Sequence, residues 1–338
     1  MFAGRIAALI ASLVMTAGLG LTPAQAEVGE LKIAKQYGIS YLPLMLMEAD
    51  RLIEKRAAAD GVGDLKIEWV TLAGGAPMND AILSGSLHLA SGGVGPLATI
   101  WARTKGAGNV KAVAAMNSMP LYLNVRSADA KTLKDLRETD RIALPAVKVS
   151  IQAVTLQMAA EKEFGVGNHG KLDHLTLAMS HPDAQAAFLS GASEVTGHFS
   201  SPPFQYQQLK TAGVRTLVNS YDVLGGPATF NLVWATTKFH DENPKVYAAF
   251  YKAFEEAIDT IKKDKPAAAQ RYLDIAKDRR STSQEILAML QDPLIEYTLT
   301  PKSMMKYVDF MHRTGALKAK PDSWKDMFFP MAHALPGS

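Results

Sequence analysis

The chain has 338 residues, 48% of them hydrophobic and 20% charged, with 36 basic against 33 acidic side chains. That is globular material for one large or two medium domains, and it excludes disorder and a coiled coil. A formal charge of +3 gives no electrostatic case for nucleic acid, and the lack of any cysteine excludes a disulfide framework, a thiolate metal site and a lipid-bearing cysteine.

Residues 1–26 differ from the rest. Arg5 sits in a short basic start, residues 6–21 are almost wholly apolar, and Ala24-Gln25-Ala26 fits a small-residue cleavage site. The apolar run is shorter than the roughly 20 residues of a spanning helix, so it reads as a cleavable secretory signal. The mature chain is expected to begin near Glu27, in the periplasm, with a formal charge of +2 once Arg5 is gone.

From Leu31 onward, strand-length apolar runs alternate with helical patterns. "LKIAKQY" precedes a helix over residues 43–56, "LKIEWVTL" one over 77–84, and "LHLAS" one over 96–105, before the strand "VKAVAAM". The first helix carries Met45, Ala49, Leu52 and Ile53 on one stripe, and Leu97, Ile100, Trp101 and Thr104 repeat that spacing.

After "LYLNVR" the plan is used again. The strands "RIALPAV", "LDHLTLA" and "EVTGHFS" alternate with helices over residues 150–164, 182–189 and 202–211. Then come "VRTLVNS", the break "LGGPATF", the strand "NLVWATT", and only helical patterns, over residues 244–263, 266–277, 283–290 and 301–313. Such alternation predicts an α/β protein with parallel sheets.

The simplest architecture is two α/β lobes with strand-like crossings near residues 117–125 and 220–233, and a ligand cleft between the lobes. The expected division is a signal over 1–26, the first part of lobe 1 over 27–120, lobe 2 over 121–228, and a return to lobe 1 with C-terminal helices over 229–338.

Three loops of the first lobe share one device. Residues 38–43, Gly74-Gly75-Ala76-Pro77 and Gly92-Gly93-Val94-Gly95-Pro96 each leave a strand and meet a proline in the first turn of a helix. Proline suits that turn because its amides lack helical acceptors, and glycine permits close backbone approach. Helix N-termini pointing at one cleft would hold a small anion; the same pairs also serve as ordinary βα punctuation. "SGGVGP" matches neither the Walker pattern nor the dinucleotide fingerprint.

In the second lobe Ser150 and Ser201 are each placed like an N-cap. His198 and Phe199, in "GHFSSPPF", offer a donor and an aromatic face at a strand end, or else pack beneath the next helix. Lys148 is the one candidate cation for the cleft, and Tyr41 is either a ligand contact or a hydrophobic staple. No catalytic motif and no metal-ligand spacing is present; His169 and His174 are five apart around a glycine.

Three segments carry a family resemblance: "YGISYLPLMLMEADRLIEK", "GGAPMNDAILSGSLHLASGGVGP" and "DAQAAFLSGASEVTGHFSSPPF". They resemble the periplasmic solute-binding proteins of ABC importers, in the nitrate/sulfonate/taurine branch, over nearly the whole mature chain. The chain departs from that branch in "EKRAAADGVGDL", an expanded turn, and in "LPAVKVSIQ", which replaces a Gly-Ser-rich loop.

The resemblance implies the type II periplasmic binding protein fold and a ligand held by Tyr41, Gly75, Ala76, Gly93, Val94, Ser150, His198 and Phe199. Asn117, entering the first crossing, joins them. It also implies lobe closure and delivery to the membrane subunits of an ABC permease by a monomer without cofactor, metal or enzymatic activity. The expected ligand is a small organic anion, a sulfonate or carboxylate, including aromatic ones. The alternatives are a binding protein serving a membrane sensor and a periplasmic enzyme on the same fold.

Overall fold

The computed structural model describes residues 27–106, 108–127 and 129–338. The expected secretory signal lies outside the described residues. The first series is β1 (Glu30–Lys35), α1 (Leu42–Ala49), α2 (Leu52–Ala59), β2 (Lys66–Thr71), α3 (Gly75–Leu83), β3 (Ala90–Gly93), α4 (Val94–Thr104) and β4 (Val110–Ala115).

A short β5 (Asn117–Ser118) leads to the second series. It comprises β6 (Tyr122–Val125), β7 (Ile142–Leu144), α5 (Ile151–Phe164), β8 (Thr176–Ala178), α6 (His181–Ser190), β9 (Gly197–Ser200), α7 (Phe204–Gln208), β10 (Arg215–Asn219) and α8 (Ser220–Leu224). The return consists of β11 (Asn231–Thr236), α9 (Thr237–Glu242), α10 (Pro244–Lys263), α11 (Lys265–Ala276), α12 (Ser283–Gln291), β12 (Glu296–Tyr297) and α13 (Met304–Arg313).

Two α/β lobes result, and neither sheet is purely parallel. In lobe 1, β1 and β2 are parallel, β11 lies antiparallel between β3 and β4, and a parallel bridge between Ile33 and Leu89 joins the two groups. In lobe 2 the order is β10-β6-β9-β7-β8, with only β6 running against the others.

The reversed strands are the two that receive the chain from the opposite lobe. A helical crossover returns the chain to the same end of a sheet and keeps strands parallel. A chain arriving from across the cleft starts at the cleft edge and runs away from it. Asn231, the first residue of β11, therefore sits opposite Gly93, the last residue of β3.

Other differences are local. The helix expected over residues 43–56 breaks at Arg51, which takes a left-handed φ of 53°, while Asp50 receives both guanidinium nitrogens of Arg271 at 2.6 Å. The first half of the expected strand "LDHLTLA" is a 3-10 helix, His169–Leu175, which leaves only β8 extended.

The tail packs mainly on lobe 1. In α10 the buried residues Val246, Phe250, Phe254, Ala257 and Ile261 recur at helical spacing and face α1 and α2. Burying each such phenylalanine contributes about 1.5–3 kcal/mol. Further on, α13 touches both lobes, because it packs on α4 and its Tyr307 hydroxyl meets the Thr155 hydroxyl of α5 at 3.0 Å.

Candidate ligand cleft

The seam between the lobes is built on glycine. A Cβ at Gly38 would stand 2.9 Å from the Pro202 carbonyl oxygen, and one at Gly74 would stand 3.2 Å from that of Pro145. At Gly93 it would meet Ile151 Cγ2 at 2.6 Å, and at Gly95 the Val149 carbonyl oxygen at 2.5 Å. All four neighbours belong to lobe 2, so the glycines of the three lobe 1 loops let two main chains approach to contact distance.

That approach brings three helix N-termini together. Gly75 opens α3, Gly93 caps α4, and Ser150 caps α5, with its oxygen accepting the Ala153 N–H at 3.2 Å. First-turn amides have no helical acceptors, and the aligned peptide dipoles place partial positive charge there.

A cavity of about 20 Å³ lies between these ends. Lobe 1 lines it with Gln36, Tyr41, Gly75, Gly93 and Asn231, and lobe 2 with Ser150, Gln152, His181 and Ser201. No charged side chain lines it among the described residues.

Several polar groups lining this cavity have a proton to give, beside the side-chain oxygen of Gln36, whose amide nitrogen is spent on the Ser91 carbonyl at 3.1 Å. The Tyr41 hydroxyl donates to Asn231 Oδ1 at 3.2 Å, and this turns the Asn231 amide nitrogen away from Tyr41. That nitrogen and the Ser201 hydroxyl are buried without a hydrogen-bond partner. The Ser150 oxygen accepts from its helix, which leaves its own proton to give. Unpartnered buried polar groups are costly, so an amide nitrogen and a hydroxyl left without partners at one cavity between helix N-termini mark a place able to take an acceptor.

Outside Gln36 the cleft opens into a chamber of about 750 Å³ lined by Tyr37, Phe204, Gln207 and the loop from Lys277 to Arg280. Here the lobes are fastened. Gln207 Nε2 donates to Asp278 at 2.9 Å and to Ser281 at 2.8 Å, and Lys210 pairs with Glu285 at 2.5 Å.

Of the residues expected to contact a ligand, Tyr41, Gly75, Gly93, Ser150 and Ser201 line the cavity, whereas Ala76, Val94, Asn117, Lys148, His198 and Phe199 do not. Lys148 is an exposed turn residue with φ 64°, so the cavity has no fixed cation. Val94 is wholly buried, and Ala76 is half-buried in the first turn of α3.

Asn117 acts as a strut. Its Nδ2 donates to the Ser40 carbonyl at 2.6 Å and its Oδ1 accepts the Asn231 N–H at 3.3 Å, so it holds the Tyr41 loop against β11. Phe199 belongs to the core, opposite Leu123. His198 stands behind His181, whose ring lies between it and the cavity side, stacked on Phe204.

His181, Gln36, Gln152 and Asn231 were not singled out by sequence. A usable signal existed for Asn231 alone, since the first residue of a strand returning across a cleft must start at the cleft.

Burial keeps these groups uncharged. It pushes the Tyr41 phenol well above its ordinary value and pulls His181 down to about 4. His198 is pulled well below the ordinary histidine range, by burial first and by His181 second. An unfolded histidine titrates near about 6.5, so the unfolded chain takes up protons below that value while the fold cannot. The contribution of these rings to stability is thus complete above about pH 6.5 and lost as pH falls toward about 4. Thermal midpoints should decline across that window, and His181→Gln should flatten the decline.

No protein-family model matches the chain, and neither does any curated protein sequence. Solved structures do. The alkanesulfonate-binding protein SsuA of Xanthomonas axonopodis pv. citri, bound to MOPS, is 20% identical; the match covers 87% of this chain and 96% of that one, with a TM-score of 0.67. The periplasmic nitrate-binding protein NrtA of Synechocystis is 14% identical, covering 91% and 86%, with a TM-score of 0.66. A Candida albicans protein described as having the generic periplasmic binding protein fold is 14% identical, covering 89% and 96%, also at 0.66. The chain has that fold.

Proposed function

We propose that the protein is the periplasmic solute-binding component of an ABC importer, which captures a small organic oxyanion between its lobes and presents the closed form to a membrane permease. One observation carries this reading: two lobes close three helix N-termini and several unspent donors onto one buried cavity that has no charged side chain. Neutral donors and helix ends suffice for an anion. The structural likeness to sulfonate- and nitrate-binding proteins and the sequence resemblance to importer components support the same conclusion.

Capture without turnover fits the site, whose buried histidines are held neutral and make their hydrogen bonds within lobe 2. With Phe199 in the core, an aromatic preference rests on Tyr37 and Phe204 in the outer chamber, and the anionic head rests on the inner donors. Such a ligand binds both lobes, and that difference in affinity between open and closed forms is what drives closure.

A thermal-shift screen tests the proposal. Sulfonates such as methanesulfonate and benzenesulfonate, carboxylates or nitrate should raise the midpoint by several degrees at millimolar concentration. Stabilisation by ammonium compounds or neutral amides alone would overturn it.

A further inference from the structure

The buried polar groups of lobe 2 form a chain whose direction can be read from its end. Asn124 Nδ2 donates to the main-chain carbonyl of Gln205 at 2.9 Å, which fixes which end of that amide is nitrogen. The Thr216 hydroxyl, donating to Asn124 Oδ1 at 2.8 Å, agrees. Asn124 Nδ2 also donates to Gln208 Oε1 at 3.0 Å, so the other end of the Gln208 amide is its nitrogen.

That nitrogen donates both to His198 Nδ1 and to Gln185 Oε1, each at 2.6 Å. A neutral ring that accepts at Nδ1 carries its proton on Nε2. His198 Nε2 therefore donates to His181 Nδ1 at 3.0 Å, and His181 in turn carries its proton on Nε2. Gln152 Nε2 lies 3.3 Å away. If Gln152 turns its oxygen to His181, its own NH2 faces the cavity; otherwise two N–H groups face one another and both need an acceptor. In either case the chain ends in an N–H at the cavity.

The second arm runs from Gln185 Nε2 to Gln207 Oε1 at 3.0 Å, and from Gln207 Nε2 to Asp278 and Ser281 of the lobe 1 tail. The closed seam thus anchors the far end of the network.

We infer that this one-way chain locks His181 as an Nε2–H donor, so that the cleft selects oxyanions carrying no proton, sulfonate over hydrogen phosphonate, with Gln208 as its positioning residue. The inference rests on the oxyanion reading of the cleft. A ligand O–H would meet the Ser150 hydroxyl proton, the Asn231 amide nitrogen and the end of the histidine chain, all arranged to donate, and would have to compete for the Ser201 hydroxyl and the Gln36 side-chain oxygen as its acceptors. A site matched to one hydrogen-bond pattern rejects the analogue that leaves polar groups unpaired, typically by orders of magnitude.

The pair methanesulfonate and methylphosphonate has nearly the same shape, but the phosphonate keeps one O–H below its second ionisation near neutral pH. The titratable groups lining the inner cavity are Tyr37 and Tyr41 of lobe 1 and His181 of lobe 2, with His198 behind His181. Asp183 on α6 is engaged by Ser180, and Lys35, Glu48, Lys277, Asp278, Arg279 and Arg280 line the outer chamber.

Nitrogen NMR of the full mature chain, labelled at histidine, reads the lock without any ligand. The expected spectrum has both His181 and His198 neutral at pH 7 and protonated at Nε2, and calorimetry should find methanesulfonate bound at least about 30-fold more tightly than methylphosphonate at pH 6. The gap should narrow as pH rises through the second phosphonate ionisation. In Gln208→Met, mixed His181 forms and a reduced gap are expected. Should that variant fail to fold, the wild-type spectrum and ratio still decide. A proton on His181 Nδ1, or equal affinity for the two probes at pH 6, overturns the inference. Binding of neither probe overturns the sulfonate selection, and if carboxylates and nitrate also fail to bind the capture reading falls with it, while the spectrum alone decides the lock.

Discussion

Gly95→Ala is expected to weaken oxyanion capture by at least about 100-fold, about 2.7 kcal/mol, while leaving lobe 1 as stable as before. The added methyl would stand 2.5 Å from the Val149 carbonyl oxygen, a main-chain atom at the N-terminus of α5 that cannot turn aside. Relief requires the lobes to separate by roughly half an ångström or more at the point where α4 and α5 meet, since carbon and oxygen at van der Waals contact need more than 3 Å. Yet Gly95 lies within α4 and has no left-handed φ, so alanine suits the local backbone and favours the helix by about 1 kcal/mol. Closure and folding therefore respond in opposite directions. The ligand-free thermal midpoint should hold or rise, the affinity by calorimetry should collapse, and small-angle scattering with ligand should keep the larger radius of the open form. Wild-type affinity would mean that capture does not bring these two helix ends together.

This reassigns the glycine loops, which the sequence made conspicuous for a different reason. "GGAP" and "SGGVGP" are legible as strand-to-helix turns, and Ser150 as a helix cap, because those signals are local; Ser201, placed like a cap in the sequence, is not one, since α7 starts after Pro203 and the Ser201 hydroxyl bonds to none of its amides. The loops do present helix ends, but the crowded glycine faces are pressed against the other lobe, a relationship no local pattern encodes. The strand ending in "GHFS" illustrates a different limit. Neighbours on a strand point to opposite faces, so His198 and Phe199 were never able to face one ligand together. With helices on both sides of the sheet, both are buried: one in a polar network, the other in the core. The glutamines of that network carry no local signal of burial, since burial of Gln152, Gln185 and Gln208 depends on partners from four separate elements. The reversed strands β6 and β11 were hidden because alternation counts elements and not the end from which each is entered.

Asn231→Asp should abolish oxyanion binding at neutral pH, by at least about 100-fold, and should do so reversibly with acid. The substitution changes almost no volume. Tyr41 still donates to one oxygen, as it does now to Asn231 Oδ1 at 3.2 Å. The other position turns from a buried, unspent N–H into an acceptor bearing negative charge, on a residue lining a cavity whose own lining has no cation to offset it. Losing a hydrogen bond to a charged ligand costs about 1.5–3 kcal/mol, and a like charge in its place adds several more. The same burial raises the pKa of the new carboxyl, because its charged form is poorly solvated. Below that pKa it carries a proton and becomes a donor again, so affinity should recover as pH is lowered. The wild-type site lacks any group that changes charge between about pH 5 and 8 and should bind a sulfonate evenly across that range. Calorimetric titrations of both proteins from pH 8 down to 5 supply the comparison. If Asn231→Asp binds more tightly at neutral pH than the parent, the occupant of the cleft is a cation and the donor count has been read with the wrong sign; if it binds equally at every pH, Asn231 does not face the ligand.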